Sequence, residues 1–130
     1  MSTPTQGISG AAQAVRQLEA EFQRHANAND AAAITEAFYA ENAVLQPPNA
    51  PQVNGKAAIR DFWKAFLAQG VTDVVLETGN VSSSGDLAYG AGKYGYTAGG
   101  ARQTGKYLVV YQRQANGSYR AVADAFSSNA

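Results

Sequence analysis

The 130-residue sequence has no cysteine, one histidine (His25), one methionine, and no excess of charge, since ten Lys/Arg balance ten Asp/Glu. Each scarcity excludes a class of protein. Without cysteine there is no disulfide, no thiolate nucleophile and no sulfur-ligated metal. A single histidine cannot supply a multi-histidine zinc site within one chain. Even charge balance with no basic run removes the electrostatic footprint of a nucleic-acid-binding protein. The purely apolar runs are only a few residues long, too short to cross a bilayer. Met1-Ser2-Thr3-Pro4, leading into Gln6-Gly7, lacks the charged-then-apolar pattern of a secretory leader, so a cytoplasmic location is expected. The expected partners therefore include no metal, no cofactor, no nucleic acid and no membrane. What is present is an ordinary globular mixture, 45% apolar and 15% charged, of a length suited to one domain with its own core.

Residues 1–10 are polar with Pro, Gly and Ser, and are expected to form a flexible N-terminal segment ahead of a single domain over 11–130. Val15, Leu18, Phe22 and Ala26 recur at helical spacing, predicting an amphipathic helix from about Ala11 to Ala28. Asp30 is a candidate N-cap for a shorter helix carrying Ile34, Ala37 and Phe38. The run Phe38 to Val44 reads as helical, with Val44-Leu45 a short strand before Pro47-Pro48-Asn49-Ala50-Pro51 forces irregular chain. Asn54-Gly55 opens a third helix with a stripe of Ile59, Phe62, Trp63, Phe66 and Leu67, and Gly70 closes it. Beyond Gly70 the pattern is β: Val71–Thr78, a turn-like stretch Asn80–Asp86, Leu87–Thr97, Gln103–Arg113 and Tyr119–Phe126. Gly99-Gly100 and Asn116-Gly117 mark turns between strands. Helices followed by an antiparallel meander make an α+β layout.

A two- or four-residue loop around Asn116-Gly117 sets Val109 opposite Asp124, Tyr107 opposite Phe126 and Tyr111 opposite Val122. A turn at Gly99-Gly100 sets Tyr96 against Gln103, Tyr94 against Gly105, Gly92 against Tyr107 and Gly90 against Val109. Alternation then gathers Gly90, Gly92, Tyr94, Tyr96, Tyr107, Val109, Tyr111, Val122, Asp124 and Phe126 on one face. Leu108, Val110, Ala121 and Ala123 fall on the other. A three-residue loop would invert one strand, and the stated register opposes Arg113 to Arg120, a like-charge pair that only fraying or a bulge relieves. On the first face Gly90 and Gly92 leave space above the sheet, a surface suited to a small, partly apolar ligand.

Phe38-Tyr39-Ala40-Glu41-Asn42-Ala43-Val44, the Asn54-Gly55-Lys56-Ala57-Ala58-Ile59 entry and the stretch Tyr107–Phe126 resemble the nuclear transport factor two-like superfamily, in its SnoaL-like and ketosteroid-isomerase-like branch. The resemblance runs from about Ala11 to Asn129. It implies a cone-shaped, curved antiparallel or mixed sheet wrapped around three N-terminal helices, with a pocket inside and a homodimer through the outer sheet face. It also argues against one chemistry. A ketosteroid isomerase needs a basic aspartate, a donor tyrosine and a protonated acid, and ungapped alignment places these at Pro47, Phe22 and Val109, none of which can act.

Asp124 is the candidate catalytic residue, because burial of a carboxyl raises its proton affinity into a useful range; its structural alternative is a carboxylate held by Tyr or Trp hydrogens. Phe22, Phe38, Trp63, Tyr94, Tyr96, Tyr107, Val109, Tyr111 and Phe126 are the candidate ligand-binding residues, with core packing as the competing role of the aromatics. His25 is read as a boundary residue pairing with Glu21 one turn earlier. The expected function is binding of a small apolar or mixed-polarity molecule. The alternatives are a SnoaL-like isomerase or cyclase in which Asp124 transfers protons, and a noncatalytic dimerisation domain whose pocket is filled by its own aromatics.

Overall fold

The structure, a computed structural model, describes residues 3–129, with side chains from Gly10 to Asn129. The elements are α1 (Thr3–Asn27), α2 (Ala31–Phe38), β1 (Tyr39–Gln46), β2 (Val53–Asn54), α3 (Lys56–Leu67), β3 (Thr72–Ser84), β4 (Leu87–Ala98), β5 (Ala101–Arg113) and β6 (Tyr119–Ser128). The strands form one six-stranded sheet in the order β2-β1-β6-β5-β4-β3, with β1 parallel to β6 and every other pair antiparallel. Three helices against a curved mixed sheet make the α+β cone that the sequence predicts.

The helices form where the periodicity places them. Val15, Leu18, Phe22 and Ala26 of α1 are buried as one stripe, although α1 begins at Thr3 rather than Ala11. The expected flexibility of residues 1–10 lies largely outside the described side chains. Asp30 caps α2, its Oδ1 accepting from the Ala33 N–H at 3.0 Å. Gly55 stands at the N-cap of α3 with φ 88°, a left-handed conformation that glycine adopts without strain. Ile59, Trp63 and Leu67 turn inward from α3. Full burial of such side chains contributes about 1.5–3 kcal/mol each.

Two predicted boundaries are corrected. The stretch Phe38–Val44 is not helical throughout: α2 stops at Phe38, and Tyr39 begins β1. Ala40, Glu41 and Ala43 favour helix locally, but β1 pairs with β6 at Tyr39 and again from Val44, and the Ala43 carbonyl accepts from the Gly55 N–H at 2.8 Å. Asn80–Ser84 is not a turn either. It extends β3 by pairing with Leu87–Ala91, after a register shift next to Gly79.

The β4–β5 register is as predicted, from Ala98 opposite Ala101 to Gly90 opposite Val109. Both turn glycines, Gly99 and Gly100, have positive φ, as the two-residue hairpin requires. The β5–β6 hairpin differs near its turn. Gln114 and Ser118 close a three-residue loop, the Gln114 N–H donating to the Ser118 carbonyl at 2.7 Å. Tyr111 is therefore opposite Ala121, not Val122, and Arg113 is opposite Tyr119, not Arg120. A bulge at Val122 then restores the register, so that Val110 meets Ala123 and Val109 meets Asp124. Ala121 is consequently buried on the core side, contrary to its predicted outward position, and Val122 is only half-buried. The Arg113 guanidinium pairs with the Asp86 carboxylate in the neighbouring turn.

Candidate functional site

The helices lie on the sheet through interlocking aromatic rings. Phe22 of α1 meets Phe38 of α2 edge-on at 5.0 Å and Trp63 of α3 at 5.2 Å, and Trp63 stacks on Phe126 of β6 at 5.6 Å. Between these rings and the sheet lies a cavity of about 70 Å³. Its wall includes Phe22, Phe38, Trp63, Tyr94, Tyr96, Tyr107, Val109 and Phe126, with two carboxylates, Glu19 and Asp124. No lysine, arginine or histidine lines it among the described residues. The volume is far below the roughly 300–1,000 Å³ typical of drug-sized ligand pockets. Toward the outside, a second hollow of about 180 Å³ opens between Pro47, Pro48, Gln103 and Thr104. Phe66, Tyr94, Tyr96 and Phe126 border both spaces and separate them.

Asp124 reaches the cavity because the Val122 bulge keeps it inward, opposite Val109. It is 6% exposed. The Tyr39 hydroxyl donates to Asp124 Oδ2 at 2.5 Å, and the Trp63 indole N–H donates to the Tyr39 oxygen at 3.1 Å. No other protein group bonds Asp124 among the described residues. Yet no buried side-chain polar atom among them lacks a partner, so Oδ1 must border accessible space. Asp124 therefore has one oxygen fixed by the protein and one open to the cavity. Burial pushes its carboxyl from 3.8 up to about 7, against the lowering effect of the Tyr39 hydrogen bond and with a further rise from the charge of Glu19. The same burial, followed by the nearby Asp124, pushes the Tyr39 phenol well above its ordinary range, so Tyr39 remains a donor.

Glu19 is the residue that sequence reasoning missed. Its carboxylate, 1% exposed, accepts from Thr78 Oγ1 at 2.5 Å and the Tyr107 hydroxyl at 2.6 Å on Oε1, and from the Tyr111 hydroxyl at 2.6 Å on Oε2. Burial and Glu19 together raise both phenols far above the usual range. The signal was present: Glu19 follows Val15 by four residues and precedes Phe22 by three, inside the apolar stripe rather than opposite it. Tyr39 was hidden by the helical reading of its segment.

Glu19 also corrects the expected role of the glycines. A Cβ on Gly90 would lie 2.8 Å from Glu19 Oε2 and 3.1 Å from Val15 Cγ1, and one on Gly92 would lie 2.5 Å from the Tyr107 hydroxyl. The space above these glycines is filled by the protein's own carboxylate and ring, not left for a ligand. Tyr111, expected to bind ligand, lies behind the cavity wall, fully buried against Phe38 at 5.6 Å. The expected Glu21–His25 pair does not form; Glu21 accepts instead from Gln17 at 3.4 Å.

With the cone, its inward carboxylates and its aromatic wall defined, comparison with known proteins places the chain. The sequence profile of the SnoaL-like domain matches residues 8–122, and the chain belongs to that family. Its fold is that of NTF2-like proteins. A ketosteroid isomerase-like protein from Erwinia carotovora atroseptica superposes with a TM-score of 0.80 at 20% identity, covering 91% of this chain and 95% of that one. An NTF2-like protein with a cystatin-like fold from Novosphingobium aromaticivorans gives 0.79 at 21% identity, covering 92% and 82%. An NTF2-like protein of unknown function from Pseudomonas putida KT2440 gives 0.77 at 24% identity, covering 92% and 88%. At these identities the likeness is one of fold. No curated protein matches the chain significantly. No helix among the described residues is long and apolar enough to cross a membrane.

Proposed function

We propose that the protein binds a small, uncharged, mainly apolar molecule in the cone, with Asp124 as the group that recognises its polar atom. One observation carries this reading: Asp124 Oδ1 borders the cavity without a protein partner, while every buried side-chain polar atom among the described residues has one. An open carboxyl oxygen on an otherwise apolar wall is the arrangement that orients a ligand by a single polar contact. The resting cavity of about 70 Å³ holds only a small fragment, so a larger ligand enters by displacing the ring wall of Phe66, Tyr94, Tyr96 and Phe126 toward the outer hollow. Asp124→Asn would still offer an amide N–H to a ketone, so the informative variant is Asp124→Leu, which has no hydrogen-bonding side-chain atom. Titration calorimetry with a series of cyclic ketones should show affinity reduced at least about tenfold in this variant, the cost of losing one strong hydrogen bond. Equal affinity for the two proteins would remove Asp124 from the site.

A second reading, proton transfer, is favoured by the carboxyl titrating at about 7, where an acid and its conjugate base are both populated. The ionised form can accept a proton from the carbon beside a carbonyl and return it. Deuterium incorporation into a bound ketone, followed by mass spectrometry and lost in Asp124→Asn, checks this directly. Binding without exchange leaves the protein a binding module.

We also propose a cytoplasmic homodimer through the outer face of the sheet. There Leu108 is 51% exposed and Tyr89 42% exposed, with Val110, Ala123 and Ala125 on the same face. Large apolar side chains grouped on an uncovered sheet face suit a second copy of the same surface. Sedimentation equilibrium should give a dimer, converted to monomer by Leu108→Glu. A monomer at all concentrations for the unmodified chain overturns it, and fractionation of producing cells tests the location.

A further inference from the structure

Two buried carboxylates face one small cavity, and they are equipped differently. Glu19 receives three hydroxyl hydrogens, from Thr78, Tyr107 and Tyr111. The Tyr107 hydroxyl also bonds the Thr78 hydroxyl, so the three donors form one connected cluster around the Glu19 carboxylate. Three donors on one carboxyl suit a group that only accepts. Asp124 has the opposite provision, with one hydroxyl donor and one open oxygen.

The sheet fixes the distance between them. Gly90, Val109 and Asp124 are successive cross-strand partners on β4, β5 and β6, and the Glu19 carboxylate sits over Gly90. Neighbouring strands lie about 4.8 Å apart, which sets the two carboxyl groups roughly 10 Å from each other. Val109 lies between them on β5. The other titratable groups around Asp124 are Tyr39 from β1, Tyr94 and Tyr96 from β4, and Tyr107 and Tyr111 from β5; α3 contributes Trp63, and no cation lines the cavity among the described residues. Nothing positive therefore offsets the charge of Glu19.

We propose that Glu19 is a positioning residue for the Asp124 site: its negative charge reinforces burial in holding the proton on Asp124, so that the cavity presents a carboxylic acid and selects an uncharged hydrogen-bond acceptor over an anion. The ligand part of this inference rests on the binding function proposed above; the coupling of the two carboxyls does not. At roughly 10 Å and an effective dielectric near 20, one charge changes the proton affinity of a neighbour by about one pH unit.

Infrared spectroscopy reads the coupling without ligand. At pH 6 the spectrum of the unmodified protein minus that of Asp124→Asn should contain one protonated carboxyl C=O band, and the absence of that band overturns the proposal. In Glu19→Gln, which retains an acceptor oxygen for the tyrosines, the midpoint of the band should fall by about one pH unit. Glu19→Asp, which restores the charge, should bring it back. A midpoint unchanged in Glu19→Gln makes Glu19 merely structural and overturns the positioning role; if that variant does not fold, Glu19→Leu combined with Tyr107→Phe and Tyr111→Phe, which removes both phenol hydroxyls along with their acceptor, gives the midpoint without the charge. Selectivity is read with cyclohexanone and cyclohexanecarboxylate at pH 7.5. The ketone should bind at least about tenfold more tightly, and Glu19→Gln should narrow the ratio. Preference for the carboxylate overturns the selectivity. Binding of neither probe overturns the ligand-binding function while the infrared midpoint still decides the coupling.

Discussion

Glu19 and Asp124 occupy the same cavity wall but play opposite parts. Glu19 comes from a helix, and both of its oxygens are covered by hydroxyls from β3 and β5. Asp124 comes from a strand, and its single donor, Tyr39, is itself held by Trp63. Burial alone does not distinguish them, since both are almost fully enclosed. The number of donors does. The carboxyl with three donors ties α1 to the sheet, whereas the one with a single donor is raised by desolvation and holds a proton. The first arrangement stabilises the cone, and the second leaves a reactive oxygen inside it.

The most disruptive way to test this contrast is to delete the anchor. Glu19→Leu would leave the hydroxyls of Tyr107, Tyr111 and Thr78 without their acceptor in a buried setting, and each unsatisfied group costs about 1–3 kcal/mol. The expected loss is about 4 kcal/mol in urea unfolding, partly relieved by the apolar replacement. A loss below about 1 kcal/mol would mean that the three bonds contribute little and that Glu19 does not tie α1 to the sheet.

Much of the contrast was legible in the chain, but only one side of it. Asp124 announced itself as an acid between alternating apolar residues, and its pairing with Val109 followed from the turn positions. That success depended on two deviations that cancel. The hairpin loop has three residues, which alone would have turned Asp124 outward, and the bulge at Val122 turns it back. The near-turn clash of Arg113 with Arg120 was the visible trace of this: like charges opposed in a register mean that the register is wrong there. Glu19 escaped notice because a glutamate in a helix is ordinarily solvated, and its three partners lie 59, 88 and 92 residues away in sequence. Tyr39 escaped because Ala and Glu around it favour helix, while the pairing that makes it a strand is with β6, more than 80 residues on. Periodicity reveals which face a residue occupies; it does not reveal which distant hydroxyls arrive there.

The smaller test acts on Asp124 and needs no ligand. Its carboxyl binds its proton up to about pH 7 in the folded protein and only to about 3.8 when unfolded. Between these values the folded state holds a proton that the unfolded state has released, so stability falls as pH rises through the interval. Below about 3.8 both states are protonated, above about 7 both are ionised, and the contribution is level on either side. The decline attributable to Asp124 is about 4 kcal/mol at most, reduced to the extent that water enters beside Oδ1. Asp124→Asn removes the titrating group while keeping an acceptor for Tyr39, so its unfolding free energy should be flatter from pH 4 to 7, and the two curves should diverge most at the alkaline end, with the variant the more stable. Paired urea titrations at pH 4, 5, 6, 7 and 8 measure that divergence, because the exposed carboxylates common to both proteins cancel in the difference. Parallel curves would show that Asp124 is ionised throughout, and the two carboxylates would then be equivalent anchors rather than an anchor and an acid.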